Sequence, residues 1–328
     1  MTEIREPEWT EAIQYLVLNV LAAFLCSAAH SALYFMLGLT NWCFHFMHYL
    51  FTFLMLLLSY CCGVIPRKKL QMKEIWPLAA SQVAASVATC VMHGGGKDGA
   101  LYTLRITDGV ITLLALQFAR KFVDPSAVPS QRNRQLVIFI AVGSSMAWLE
   151  FSIIEFNLAA LLMTPVLAIA SAAHFLLTFQ KQQKLQCHTD VLSMYITGVV
   201  AACLFVPAIF FTSDAFNKEM LGTASAWEII DYALLSMAVV FMIGLTYSKY
   251  WLMANLAPES YLIFRHAKYT LASFGQLLTQ GLMHMTLFSL LGRTMAAGGL
   301  AYYGYKRVRE RRSAIQKLTG IPNGASKI

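Results

Sequence analysis

Two cations within one apolar run are the residues of this sequence with the clearest chemistry. Arg265 and Lys268 lie in the run 259–281, and their spacing of three places both side chains on one face of a helix. Like charges this close repel each other unless an anion neutralises them. That anion is either an acidic residue or a bound anionic solute. The acidic candidates are Glu150, Glu155 and Asp231.

Two arginines also fall inside apolar runs, where a cation at the helix centre costs about 2.5–3.5 kcal/mol. Arg105 lies near one end of the run 100–119, where its side chain could extend to the membrane interface or pair with Asp108. Arg293 lies in the middle of a glycine-rich run, where close helix packing could bring a carbonyl or an acid to it. For both arginines the second hypothesis is a contact with a bound solute.

Three histidines near the amino terminus suggest a different chemistry. His45 and His48 share a helix face at a spacing typical of metal ligands, and His30 lies in the preceding run. These residues could bind a metal or serve a membrane-embedded lipid hydrolase. The run that carries the pair supplies no carboxylate to complete such a site. We therefore expect no metal, no cofactor and no enzymatic activity, and keep the lipid hydrolase as an alternative.

The composition indicates which elements carry these residues. Of the 328 residues, 58% are hydrophobic and only 13% are charged, and the mean hydropathy is +0.57. Charged residues make up about a quarter of a soluble globular domain, so that class is excluded. Ten apolar runs have roughly the 20-residue length that a bilayer core requires. They cover 12–37, 41–65, 76–93, 100–119, 135–153, 155–179, 190–212, 226–248, 259–281 and 282–305.

These runs predict an all-α polytopic membrane protein of ten transmembrane helices. Its parts are an amino-terminal cytosolic segment (1–11), helices one to five (12–153), helices six to ten (154–305) and a basic cytosolic tail (306–328). Because each half has five spans, the two halves enter the membrane from opposite sides, as an inverted repeat requires. Inverted repeats of this kind build transporter sites near the middle of the membrane.

The basic residues predict the orientation of the chain. Of the 25 basic residues, 19 fall in the termini and in alternate loops, with Lys249 placed in the loop after the eighth run. The opposite loops hold only Lys97 and Lys218. By the positive-inside rule, both termini face the cytosol. The same distribution explains the net charge of +8 without a nucleic-acid partner, and the basic tail is expected to contact anionic membrane lipid.

Four motifs follow one another through the second half of the chain. They are Glu155-Phe156-Asn157, Tyr195 with Pro207, Pro258 with Lys268, and a closing set of Gly292, Gly299, Tyr303 and Lys306. Their order and spacing resemble the drug/metabolite transporter superfamily, specifically its nucleotide-sugar transporters and plastid sugar-phosphate translocators. The resemblance implies a pocket lined by Tyr195, with Lys268 facing the phosphate of the substrate.

Three motifs of that superfamily are altered in this sequence. Where GDP-mannose transporters carry G-A-L-N-K, this chain has Phe264-Arg265-His266-Ala267-Lys268, which keeps only the lysine. Where they carry F-Y-N-N, it has Met194-Tyr195-Ile196-Thr197, without either asparagine. Plastid translocators carry K-R where it has Lys268-Tyr269. The resemblance thus implies the fold and the general activity, and leaves the substrate open.

The expected function is secondary transport, by exchange, of a phosphate-bearing organic anion across a Golgi or endoplasmic reticulum membrane. A nucleotide sugar is the solute class that the resemblance implies, with a sugar phosphate or another organic anion as the alternative. Arg265 and Lys268 would bind phosphate oxygens, and Tyr195 would contact a base or sugar. Arg105 and Arg293 are further candidate contacts. The oligomeric state stays open, with a homodimer as one arrangement.

Overall fold

Ten helices make up the regular structure of the part of the chain that is described. The structure, a computed structural model, describes residues 9–37, 40–93, 97–122, 131–148, 158–220, 228–280 and 286–319. The helices are α1 (Trp9–Leu37), α2 (Asn41–Cys61), α3 (Met72–His93), α4 (Lys97–Phe122), α5 (Gln131–Met146), α6 (Leu158–Leu185), α7 (Thr189–Met220), α8 (Ile229–Asn255), α9 (Pro258–Gln280) and α10 (Leu287–Thr319). No strand occurs within these ranges, so the predicted all-α class is confirmed.

Each predicted run coincides with one helix, and four helices end seven or more residues from the ends of their runs. Helix α7 continues to Met220, eight residues beyond its run. Helix α5 is shorter than predicted and ends at Met146. Helix α8 continues to Asn255, because apolar residues resume directly after Lys249. Helix α10 continues to Thr319, through basic residues that were assigned to a tail. Lys249 is therefore a helix residue, and the prediction that it lies in a loop is wrong.

Six helices are long and apolar enough to cross a membrane, namely α1, α2, α3, α6, α7 and α8, and α4 has a shorter apolar segment, Thr107–Ala119. In these six, no more than half of the most apolar stretch is buried inside the protein. Side chains such as Phe24, 72% exposed, and Phe210, 73% exposed, face outward. Apolar faces of this extent suit lipid and not water. Length and composition thus indicate an integral membrane protein.

The helices form two compact units that differ from the two halves of the sequence. Unit 1 contains Met1–Pro129 and Ile153–Leu262, and so holds α1 to α4, α6 to α8 and the first turn of α9. Unit 2 contains Ser130–Ser152 and Ile263–Ile328, and so holds α5, the rest of α9 and α10. Each unit therefore combines helices from the first half of the chain with helices from the second.

Antiparallel helix pairs build unit 1, and α1 with α8 is the first. Near the start of α1, the ring of Tyr15 stacks on Trp251 near the end of α8, with centroids 4.0 Å apart. Near the end of α1, the buried Leu33 lies in one apolar cluster with Ala238. Rising residue numbers on α1 meet falling numbers on α8, so the two helices run in opposite directions.

The same antiparallel arrangement recurs for α2 with α7 and for α3 with α6. On α3, Glu74 pairs with Lys181 of α6, and Ser81, further along, lies 3.4 Å from Nδ1 of His174. Trp42, at the start of α2, stacks on Phe211 far along α7, with centroids 4.9 Å apart. Leu56, near the end of α2, lies in one apolar cluster with Met194 near the start of α7. In each of these pairs, one helix precedes α5 and the other follows it.

Glycines let α5 and α10 approach each other closely in unit 2. A Cβ atom added at Gly292 would lie 2.4 Å from the backbone nitrogen of Ala147. One added at Gly143 would lie 2.7 Å from the backbone nitrogen of Ala296. A Cβ at Gly298 would meet no described atom within 4 Å. Small residues are therefore needed on one side of α10 and not on the other.

Candidate functional site

Arg265 and Lys268 lie on α9 beside one aromatic ring, that of Tyr269. The ammonium of Lys268 is 5.3 Å from the ring centroid, and the guanidinium carbon of Arg265 is 6.0 Å from it. All three side chains are half-buried. These are the distances of cation–π contacts, in which the ring face attracts positive charge. The structure thus brings the two predicted cations together and adds Tyr269, to which the sequence analysis gave no role.

His266 anchors this part of α9. Its side chain is fully buried, and its Nδ1 lies 2.6 Å from the hydroxyl of Ser144 on α5. The imidazole also meets Tyr269 edge to face, with ring centroids 6.3 Å apart. A buried ring with a short hydrogen bond has little freedom to turn, so His266 restricts the orientations open to Tyr269.

Of the acids proposed as ion-pair partners for these cations, only Asp231 is described, because Glu150 and Glu155 lie outside the described residues. Asp231 is buried, and its Oδ2 accepts a hydrogen bond from the backbone N–H of Glu228 at 3.0 Å. This contact belongs to a capping box at the start of α8. The described role of Asp231 is therefore to stabilise the beginning of its own helix.

Arg293 is almost fully buried on α10, with 2% of the residue exposed. Its Nε donates to the carbonyl oxygen of Ser273 on α9 at 3.2 Å, and one terminal nitrogen donates to the hydroxyl of Ser289 at 2.7 Å. The packing of unit 2 thus supplies the carbonyl that was expected to reach this arginine. A contact between Arg293 and a solute stays a prediction.

Tyr195 and Arg105 belong to unit 1 and not to the unit that holds the α9 cations. Tyr195 is half-buried on α7 and packs against an apolar cluster that includes Leu56 and Met194. Arg105 lies in α4, and its side chain is outside the described part of the structure. The predicted contacts of both residues with a solute stay predictions.

Lys249 is a half-buried cation of unit 1 that the sequence analysis placed in a loop. Its ammonium donates to Oε1 of Gln82 on α3 at 3.3 Å and lies 5.9 Å from the ring centroid of the neighbouring Tyr250. Gln82 is buried and donates in turn to the hydroxyl of Tyr49 on α2 at 2.6 Å. The signal in the sequence was the apolar stretch after Lys249, which shows that the helix does not end there.

Two buried polar atoms near Lys249 have no hydrogen-bond partner among the described residues. They are the hydroxyl oxygen of Tyr250, whose residue is 1% exposed, and Nε2 of His174 on α6, whose residue is 2% exposed. The rings of these two residues meet edge to face, with centroids 5.7 Å apart. The charge of Lys249 also acts electrostatically on His174.

The histidines of α1 and α2 do not assemble a metal centre in the described part of the chain. Both ring nitrogens of His48 have a neighbour: Cys26 Sγ at 3.3 Å and Thr246 Oγ1 at 3.4 Å. The rings of His45 and His48 have centroids 6.4 Å apart. No group of three or more His, Cys, Asp or Glu residues that could hold a metal ion occurs among the described residues. The lipid hydrolase stays an untested alternative.

Comparisons with known proteins bear on the fold of the chain. No family model matches the sequence. A crystal structure of another protein superposes on this structure with a TM-score of 0.61. The match covers 88% of this chain and 97% of the other, at 12% sequence identity. At that identity the similarity shows a shared fold and nothing about activity.

Proposed function

We propose that this protein is a secondary transporter of a phosphate-bearing organic anion, and that it belongs to the drug/metabolite transporter superfamily. A nucleotide sugar is the solute we favour, with a sugar phosphate or another organic anion as the alternative. The main support for the proposal is that Arg265 and Lys268 on α9 lie 6.0 and 5.3 Å from the centroid of the same ring, that of Tyr269.

Two half-buried cations on one helix face are more stable with a phosphate bound between them than side by side without an anion. Each repels the other, and a dianionic group between them removes that repulsion while accepting charge-assisted hydrogen bonds. The ring of Tyr269 lowers the cost of keeping both charges near each other when no phosphate is bound. Such an arrangement suits a phosphate group that enters the site and leaves it again.

The pairing of helices supports an architecture of two inverted halves. The symmetry would exchange α1 with α6, α2 with α7, and so on to α5 with α10. Under this exchange the pair α1–α8 becomes the pair α6–α3, and the pairs α2–α7 and α5–α10 are unchanged. All four of these pairs occur in the structure. The weaker pairs α2–α8 and α3–α7 are related by the same exchange, and both also occur. Alternating access would then be a rocking of elements related by this symmetry around a central site.

Exchange of one solute for another follows from the same charges. An empty site with two partly desolvated cations is costly to reorient across the membrane, and any bound phosphate lowers that cost. A Golgi or endoplasmic reticulum membrane is the location that a nucleotide-sugar carrier implies. The basic residues of the termini and alternate loops favour cytosolic termini.

Counterflow in proteoliposomes tests the proposal. The purified protein is reconstituted with internal nucleoside monophosphate, or with internal inorganic phosphate, and uptake of labelled nucleotide sugars and of glucose 6-phosphate is measured. We expect one class to enter, and we expect Lys268→Gln and Arg265→Gln each to slow its uptake. The matched control is Lys121→Gln, which removes a cation 5.7 Å from the ring centroid of Phe118 at the exposed end of α4.

Two outcomes would contradict the proposal. If no phosphate-bearing solute enters the vesicles, the protein is not this kind of transporter. If a solute enters and both α9 variants transport it as fast as the Lys121 variant does, the protein transports it without the proposed site.

A further inference from the structure

Lys249 directs its charge toward the middle of unit 1 and not toward the end of its helix. Lys249 lies six residues before Asn255, the last residue of α8, or about 9 Å along the helix axis. Its partner Gln82 lies ten residues, about 15 Å, beyond Met72, where α3 begins. A lysine near the end of a transmembrane helix ordinarily extends outward to the interface, where its ammonium stays hydrated. The inward orientation of Lys249 therefore calls for an explanation.

The immediate neighbours of the ammonium include a chain of hydrogen bonds that runs through neutral side chains. The Gln82 amide nitrogen donates to the Tyr49 hydroxyl at 2.6 Å and to the Ser86 hydroxyl at 3.3 Å, while its oxygen accepts from Lys249. Ser86 also donates to the Tyr49 hydroxyl at 3.5 Å. The oxygen of Tyr49 is thus an acceptor in both of its described bonds, and its hydrogen is available for a further acceptor.

Tyr250 adds a second hydroxyl to the same interior. Its oxygen is buried and has no hydrogen-bond partner among the described residues. Tyr49 and Tyr250 lie in one buried cluster. A hydroxyl that is buried without a partner is rare in a finished structure, because it has lost its hydrogen bonds to water. An ammonium and two hydroxyl hydrogens around one cluster of side chains are donors suited to an anionic group.

His174 offers a hydrogen-bond acceptor, whereas Lys249 and the two tyrosines offer donors. Its Nδ1 lies 3.0 Å from the carbonyl oxygen of Leu78, and because a carbonyl only accepts, Nδ1 carries the hydrogen. In the neutral ring Nε2 is then an acceptor, and it is buried without a partner in the described part of the chain. An acceptor in this position suits a hydroxyl or N–H group of a ligand and not an anion.

We propose that Lys249, Tyr49, Tyr250 and His174 form a binding site for a hydroxylated organic anion. The anionic group lies at Lys249 and accepts hydrogen bonds from the tyrosine hydroxyls, and a hydroxyl of the same ligand donates to Nε2 of His174. The site is made by α2, α3, α6 and α8 of unit 1 alone. The proposal concerns ligand binding alone, so it does not depend on whether the protein transports the bound ligand.

Thermal unfolding of the purified full-length protein in detergent tests the site. The probes are glucose 6-phosphate and uridine monophosphate, each compared with inorganic phosphate and with glucose or uridine at the same concentration. We expect one of the two phosphate esters to raise the melting temperature more than its separate halves do together, because it contacts Lys249 and His174 at once. No shift with either ester would overturn the proposal.

Lys249→Gln removes the charge while keeping a donor for the Gln82 oxygen. We expect the affinity for the active ester to fall about tenfold to a hundredfold. His174→Asn keeps a nitrogen able to donate to the Leu78 carbonyl and removes the Nε2 acceptor. This variant should abolish the advantage of the ester over inorganic phosphate. Lys121→Gln is the control and should bind as the natural protein does.

Gln82→Glu provides a second test of the site if the Lys249 variant fails to fold. It provides a carboxylate where the amide oxygen now lies, 3.3 Å from the ammonium, and so supplies an internal anion in place of the ligand. We expect the unliganded variant to be at least as stable as the natural protein and to lose the response to the ester. An undiminished response in this variant would overturn the proposal.

The double variant Arg265→Gln/Lys268→Gln separates this site from the proposed transport site. If the double variant still binds the ester and Lys249→Gln does not, the site in unit 1 is supported even where transport fails. If the double variant loses all binding and Lys249→Gln loses none, the ligand binds on α9. In that case the inference is wrong and the proposed function stands.

Discussion

A Cβ atom on Gly292 would lie 2.4 Å from the backbone nitrogen of Ala147, a distance that no real Cβ contact tolerates. Gly292 lies on α10, and Ala147 directly follows Met146, the last residue of α5. The backbone of Ala147 can lie this close because Gly292 has no side chain. Backbone lies directly against backbone here, so a substitution cannot be absorbed by turning a side chain. Even one added methyl group at Gly292 should therefore destabilise the protein.

Gly292→Ala should destabilise unit 2, and Gly298→Ala should not. The first variant forces α5 and α10 apart, at a cost of about 1–3 kcal/mol. The second adds a methyl group where no described atom lies within 4 Å, and the higher helix propensity of alanine should stabilise the helix by about 0.5–1 kcal/mol. Melting temperatures of the two variants in the same detergent provide the test. Equal melting temperatures would mean that the helices do not pack at this distance.

Lys268→Ala should leave the unliganded protein as stable as before and weaken binding of phosphate-bearing ligands. If the proposed site is correct, the substitution removes a charge that is repelled by Arg265 when no ligand is present. Loss of one charge-assisted contact is worth about 1.5–3 kcal/mol, or a tenfold to hundredfold weakening. Melting temperature and ligand affinity are measured side by side. A collapsed melting temperature with affinity preserved in the surviving protein would assign Lys268 to a structural ion pair.

Arg293→Met should behave in the opposite way. Methionine keeps the length of the side chain only as far as the Nε of arginine, and it leaves the Ser273 carbonyl and the Ser289 hydroxyl without the donors that now reach them at 3.2 and 2.7 Å. We expect a loss of stability of about 1–3 kcal/mol, with ligand affinity unchanged in the folded fraction. A folded variant with normal stability and lost ligand binding would restore the solute-contact hypothesis for this arginine.

Tyr195→Phe tests the tyrosine that the family resemblance assigns to the substrate pocket. The ring keeps its packing against the cluster of Leu56 and Met194, so stability should change little. If the hydroxyl contacts solute, affinity falls by about 0.5–1.5 kcal/mol. Tyr302→Phe, at a residue that is 59% exposed, is the control. Unchanged affinity for every transported solute would show that Tyr195 only packs.

Thiol labelling tests the orientation of the chain. Cys61 and Cys62 are exposed at the end of α2, on the side predicted to face the cytosol. In sealed microsomes, whose cytosolic face is outward, a membrane-impermeant maleimide should label them without detergent, and Cys61→Ser/Cys62→Ser should remove the fast phase of labelling. Cys187 lies on the same predicted side, but burial raises the pKa of its thiol. It should therefore label slowly, and faster as pH rises. Labelling of Cys61 and Cys62 only after detergent would reverse the predicted orientation.

The sequence predicts the helices well and their partners poorly. Apolar length and its interruption by charge locate all ten helices, because a bilayer requires about 20 apolar residues whatever they pack against. The same rule ended α8 too early, since Lys249 was taken as a boundary although apolar residues follow it. Tyr269 was missed for a different reason. The spacing of four places Arg265 and Tyr269 on one face of α9, whereas Lys268 and Tyr269 are adjacent in sequence and meet only through the directions of their side chains.

The antiparallel pairing also determines how long a helix waits for its partner while the chain is synthesised. Leu33 on α1 packs in the cluster that contains Ala238 on α8, and roughly 200 residues are translated between them. At 5–20 residues per second, about 10–40 s pass before α1 can meet its partner. During that interval Asn19, which is 5% exposed in the finished protein and donates to Ser248, has no α8 to donate to. A chain that stops short of α8 therefore lacks the Ser248 hydroxyl to which Asn19 donates in the complete protein.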